Sequence, residues 1–358
     1  MDSPLSTGDT IPTTPKRHVL NSIPTLKPTK IPKTKIIHSE QDDDSDSESE
    51  LMSNNPKIQR YLLAIEYIGS RFSGSQKQAP NCRTVVGVIE DAFHKFIGQP
   101  VKVSISSRTD AGVHALSNVC HADVERISKR KPGEVLPAHE AAVVKSAVNH
   151  FLQKNEGDIT VIDVRCVPSD FHARFRALER TYFYRLMSGP ESLSTFENGR
   201  AWHVPEELDL VSMQKACRVL LGTHDFTSFR AAGCQAKSPI RTLDELNVTE
   251  VVSTPCFPST AERGQSISLE HDSITSSESN GYIFGERRSH RCFVITARAR
   301  SFLYHQVRLL VGVLKCVGTG FLTTNDVERI LNAKTVTAAS PMAPACGLYL
   351  AKVKYELP

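Results

Sequence analysis

The chain has 358 residues, 40% hydrophobic and 23% charged, a balance that allows a buried core in one large domain or two ordinary ones. No run of about 18 apolar residues occurs, which argues against a membrane-spanning helix, and the start MDSPLSTGDT lacks the basic head and apolar centre of a secretory signal. Residues 1–56 hold six Lys/Arg against nine Asp/Glu, so residues 57–358 carry +7 within a chain of net +4, a basic body suited to a polyanionic partner.

Residues 1–56 are rich in Pro, Thr, Ser and Lys and end in the acidic run Glu40 to Glu50. Too few apolar side chains are present to offset the entropy of ordering, so the segment reads as a disordered tail. Order begins at Lys57. Arg60 to Tyr67 reads as a strand, and Thr84 to Phe96 as a helix stopped by Gly98, with Val85, Val88, Ile89, Ala92 and Phe96 at helical spacing. Val101 to Ile105 alternates as a strand, Ser106 to His114 is a polar loop, and Asn118 to Val124 is strand-like. His139 to Gln153 reads as a helix and Ile159 to Val164 as extended, completing an N-terminal half at 57–165.

The C-terminal half, 166–358, repeats the mixture. Arg180 to Leu186 alternates, so Tyr182 and Tyr184 share one strand face. Leu210 to Leu221 is helical with Gly222 as its expected C-cap. Leu243 to Val252 and Cys292 to Ala299 are strands separated by a Ser-rich stretch, about residues 255–291, that reads as a mobile insertion. His305 to Val317 carries a buried helical face, and Leu348 to Val353 is a closing strand. Helices and strands alternate without a strict βαβ rhythm, so the fold class is α+β.

The nine cysteines are scattered with no C-x-x-C, and the thirteen histidines show no H-E-x-x-H. Neither a disulfide scaffold nor a zinc site is expected, no cofactor-binding loop is evident, and the compartment reads as intracellular and reducing. The segment richest in chemistry is Ser107-Arg108-Thr109-Asp110-Ala111-Gly112-Val113-His114-Ala115. A carboxylate can form covalent intermediates at sugar-linked carbons or activated rings, and Arg108 and Arg308 would hold Asp110 ionised. The same residues also read as a polar loop whose Asp merely turns the chain.

That nine-residue segment resembles the active-site loop of the TruA family of tRNA pseudouridine synthases. Other stretches agree in order: Tyr67 to Gln76, Pro168 to Phe175 with Asp170-Phe171-His172-Ala173-Arg174, Arg180-Thr181-Tyr182, Leu221 to Phe229, Phe302 to Arg308, and Gly347 to Leu350. The resemblance covers about residues 58–356, and the wording Ser106-Ser107-Arg108 and Phe302-Leu303-Tyr304 is nearest to the eukaryotic pseudouridine-synthase-like 1 branch. Two positions depart from the family: Ser107 stands where Gly is usual, and Ser75, expected outside the catalytic core, stands where Trp is usual.

The resemblance implies two similar α+β halves with antiparallel sheets flanked by helices, a basic RNA-binding cleft between them, and a homodimer acting on tRNA. The implied targets are uridines of the anticodon stem-loop, just 3′ of the anticodon. It gives Asp110 the role of nucleophile and Arg308 that of its ion-pair partner. Tyr182, Arg108, Leu348 and His114 become substrate-binding residues, with Tyr182 stacking on the uracil and available for the final proton removal. No cofactor is implied. The target must be flipped out of its stem at a cost of a few kcal/mol, offset by backbone contacts for which Arg71, Lys77, Arg83, Arg174, Arg176, Arg180 and Arg230 are candidates. Two other readings are carried: a non-catalytic tRNA-binding protein on the same scaffold, and a glycosidic-bond hydrolase using paired carboxylates.

Overall fold

The computed structural model describes residues 57–78, 81–131, 133–154, 156–252, 290–339 and 341–357. The expected tail and all but the last two residues of the expected insertion lie outside them. Ten strands form one mixed sheet: β1 (Ile58–Tyr67), β2 (Val103–Ile105), β3 (His114–Glu125), β4 (Ile159–Val167), β5 (Glu179–Ser188), β6 (Trp202–Val204), β7 (Gly222–Asp225), β8 (Ile240–Val251), β9 (Arg291–Ala299) and β10 (Leu348–Lys354). The order is β4-β1-β3-β10-β5-β9-β8-β7, with β2 on β3 and β6 on β5. Pairing is antiparallel except for β3 with β10 and β5 with β6.

Five α-helices flank the sheet among the described residues: α1 (Val85–Ile97), α2 (Ala141–Gln153), α3 (Leu210–Leu220), α4 (Gln306–Gly318) and α5 (Thr324–Ala333). Their ends follow from local chemistry. Thr84 caps α1 by accepting the Gly87 N–H, and Gly98 ends it at φ 89°, where a residue without Cβ is at ease. Thr323 and Asp326 form a reciprocal capping box on α5. The expected cap at Gly222 is displaced: Leu221 ends α3 in an extended conformation, and Gly222, at φ 97°, opens β7. β3 starts at His114, four residues before the expected run, because its first residues pair with β10 rather than alternating toward solvent.

Two apolar cores lie along this sheet. The first gathers Tyr61, Leu63 and Ile65 of β1 with Val85, Ile89 and Phe93 of α1 and Val144, Val148 and Leu152 of α2. The second surrounds α4, which is buried almost all round rather than on one face, against Tyr184, Phe226, Phe229 and Phe293. The sheets of the two cores are not separate. β10 lies between β3 and β5, with Leu348 in the second core and Leu350 and Val353 in the first. Tyr182 packs against both. No helix among the described residues is long and apolar enough to cross a membrane.

Candidate active site

β1 occupies one edge of β3, and β2 and β10 share the other: β2 pairs at Cys120 to Ala122, β10 at His114 and Ala115. The loop carrying Asp110 joins β2 to β3 and emerges where that edge changes partner. Its shape is set by short polar contacts. The Val113 N–H donates to the Asp110 carbonyl across a turn whose third residue, Gly112, has φ 86°, the positive value such a turn requires. Thr109 Oγ1 lies 2.8 Å from the Tyr67 hydroxyl, and Asn118 donates to both that hydroxyl and the Ser107 carbonyl. Burial pushes the Tyr67 hydroxyl up to about 12, so this knot is un-ionised at neutral pH.

Ser75 corrects an expectation. It is fully buried and bonded to the Asp110 loop rather than set apart from it: its hydroxyl accepts the Thr109 N–H at 2.8 Å, and its own N–H donates to the Thr109 carbonyl. A tryptophan would place no acceptor there. Ser75→Ala leaves the buried Thr109 N–H without its partner, which costs about 1–3 kcal/mol. The expected result is a lower urea midpoint together with slower turnover. Ser107 similarly supplies a hydroxyl that a glycine lacks, accepting from Arg180 Nε at 3.1 Å.

Asp110 is one-third exposed, and one of its carboxylate oxygens faces two nitrogen-bearing side chains from the start of α4. His305 Nε2 lies 3.1 Å from Oδ2, and Arg308 Nη1 lies 3.7 Å from the same oxygen. Arg308 is held in turn by the segment crossing α4: its Nε donates to the Ala343 carbonyl, and the Ala343 N–H donates to the Arg308 carbonyl. Arg308 thus lies within ion-pair distance of Asp110, and so does His305, a residue of the Phe302 to Arg308 stretch to which the sequence assigns no role. The signal for it is a histidine three residues before the arginine, on the same turn of a helix start.

Tyr182 lies edge-on to Phe302 at 5.2 Å between ring centres. Burial, with the nearby Tyr67 and Asp110, raises its hydroxyl above the ordinary tyrosine value against the opposing effect of Arg180, so it is a neutral phenol. Arg108 is exposed beside Asp110 in the chain. Leu348 is buried in the second core, on the strand that pairs with Tyr184. His114 does not fit a substrate contact. It is 2% exposed, Nδ1 accepts from the Gly69 N–H, Nε2 is 3.1 Å from the Gly199 carbonyl, and its ring stacks on Tyr349. Burial lowers its pKa, and these contacts suit a neutral ring with its proton on Nε2. It braces the loop.

The basic candidates divide. Arg71, Lys77, Arg83 and Arg176 are paired with Glu156, Glu90, Asp158 and Asp170. Pairs as exposed as those of Arg71 and Arg176 contribute little and can be exchanged for phosphates. Arg180 is not such a group: it donates to Ser107, Ser106, Arg174 and Arg300 and straps the Asp110 loop to its neighbours. Arg174 is exposed, with its guanidinium 5.8 Å from the centre of the exposed Phe175 ring.

The family pattern described as tRNA pseudouridine synthase matches residues 63–176 and 216–356. The first stretch holds Arg108, Asp110 and His114, and the second His305, Arg308 and Leu348, while Tyr182 falls between them. Among curated proteins, the chain is 37% identical over 298 residues to tRNA pseudouridine synthase A of Bartonella henselae, covering 83% of this chain and 99% of that one. It is 38% identical to the proteins of the same name from Paramagnetospirillum magneticum and Rhodospirillum centenum, over 83% of this chain and 95% and 100% of theirs. With the α+β sheet and the Asp110 loop facing His305 and Arg308, these matches place the chain in the tRNA pseudouridine synthase family, a family of isomerases.

Proposed function

We propose that this protein isomerises uridine to pseudouridine in tRNA with Asp110 as the nucleophile. The observation that carries the reading is the carboxylate at the seam of the sheet, one oxygen faced by His305 and Arg308 and the neutral ring of Tyr182 close by. The ionised carboxylate is the form that attacks. Attack on the flipped nucleotide opens the bond between ribose C1′ and uracil N1. The ring then turns, C5 bonds to C1′, the bond made by Asp110 breaks to return the carboxylate, the C5 proton leaves and N1 gains one. Atoms and electrons balance without an external group. Tyr182 stacks on the displaced ring, and Arg108 and the exposed basic residues engage the RNA backbone.

The finer reading follows the motifs. The targets are uridines just 3′ of the anticodon, in the anticodon stem-loop. The active form is a homodimer holding one tRNA across both subunits, in a basic cleft between halves at 57–165 and 166–358. The wording around Ser107 and Phe302 supports a kinship with the eukaryotic pseudouridine-synthase-like 1 branch. The test is product analysis of tRNA transcripts incubated with the protein, with the modified position mapped. Pseudouridine 3′ of the anticodon is the expected product. Free uracil identifies a hydrolase, and bound but unaltered tRNA identifies a binding protein on the same scaffold.

A further inference from the structure

His305 is the residue before α4, and its backbone is left-handed, φ 60° and ψ 9°. Side-chain-bearing residues seldom adopt that conformation, and where they do the surroundings must hold it. Here they do. The Gln306 side chain accepts the Leu303 N–H at 2.8 Å, and the Gln306 N–H donates to the Leu303 carbonyl, closing the bend. The Tyr304 carbonyl accepts from Ala231, and the Tyr304 ring lies on the His305 imidazole at 3.8 Å and 28°. The imidazole is thus fixed by its backbone and by its stacked neighbour, with Nε2 3.1 Å from Asp110 Oδ2.

Arg308 cannot fix that oxygen alone. Its Nη1 is 3.7 Å away, beyond a good hydrogen bond, and its Nε is committed to Ala343. Among the described residues, His305 Nε2 and Arg308 Nη1 are the side-chain nitrogens within ion-pair distance of Asp110, and both approach Oδ2 most closely. Resting on the reading of Asp110 as nucleophile, we propose that His305 is a positioning residue. Its Nε2 holds Oδ2 of Asp110 so that Oδ1 faces the reacting nucleotide, while Arg308 supplies charge.

The left-handed backbone makes the test discriminating. His305→Gly keeps that conformation without strain and deletes the imidazole. If His305 serves only the helix start, the variant melts at the wild-type temperature or above and turns over normally. As a positioning residue its loss lowers the single-turnover rate about 10–100-fold, the scale of a small misplacement of a reacting group. Full-length protein is used, with tRNA affinity and melting temperature unchanged. His305→Gln, whose amide N–H can reach Oδ2, recovers part of that loss, whereas His305→Asn tolerates the backbone but is too short and stays slow. A Gly or Asn variant that melts like wild type and turns over within twofold of it overturns the proposal. So does a Gln variant no faster than Gly when both melt like wild type. Asp110→Asn is measured alongside: if it is active, the nucleophile assignment itself falls, and if it is dead while His305→Gly is fast, only the positioning role falls.

Discussion

Asp110→Asn is expected to abolish pseudouridine formation, by about a thousandfold or more, as when an enzyme loses its nucleophile. The amide keeps the size and shape of the side chain but cannot attack as a carboxylate. Folding should be little changed, because Asp110 is one-third exposed and the loop is held by other groups: Thr109 by Ser75 and Tyr67, and Ser107 by Asn118 and Arg180. Loss of a partly solvated ion pair costs less than about 1 kcal/mol, so the melting temperature should move by only a few degrees. tRNA affinity should hold within a few-fold, since phosphate contacts dominate it. Residual turnover within tenfold of wild type would remove Asp110 from the role.

Tyr182→Ala carries the second large effect. Tyr182 packs between the two cores and edge-on to Phe302. Its ring offers a stacking surface of the kind that contributes about 1–3 kcal/mol per base, and that surface engages only once the uracil is flipped. Turnover should therefore fall by one to two orders of magnitude, about the same energy expressed as a rate, while overall tRNA affinity and its dependence on salt hardly change. Tyr182→Phe separates the ring from the hydroxyl. Because burial and neighbouring Asp110 keep the hydroxyl protonated, it is not a ready-made base in the free protein, and the Phe variant should lose much less than the Ala variant. Equal losses in the two variants would shift the essential role from the ring to the hydroxyl.

Most of the element order was legible because period and punctuation agreed. Thr84 and Gly98 bracket α1, and alternation in Arg60 to Tyr67 and Arg180 to Leu186 marks β1 and β5. α5 was missed although Thr323 and Asp326 spell a capping box, because its exposed, polar turns leave only Val327 and Leu331 buried. β6 and β7 are three and four residues long, too short for any period to show. The site was legible as motifs but not as a constellation. Arg308 was paired with Asp110 through the family resemblance, whereas the roles of Ser75 and His305 depend on where the chain crosses itself. The resemblance makes His114 a substrate-binding residue, and only its two backbone partners and its stack on Tyr349 reveal a brace.

The placement of β10 bears on how the molecule assembles. β1 to β4 can pair with one another, and β5 to β9 likewise, but each group keeps one open slot until Leu348–Lys354 arrives from the far end of the described chain to fill both. Such distant pairing is slow to form, and meanwhile β3 and β5 present bare edges, which invite the wrong strand. The hazard for this fold is therefore trading of strands between copies more than melting. A neighbour's β10 would fit the slot as well as the chain's own, the usual route to a domain-swapped pair. Because the Asp110 loop opens onto that slot, a chain with the slot unfilled would lack side chains of both cores and the strand beside that loop.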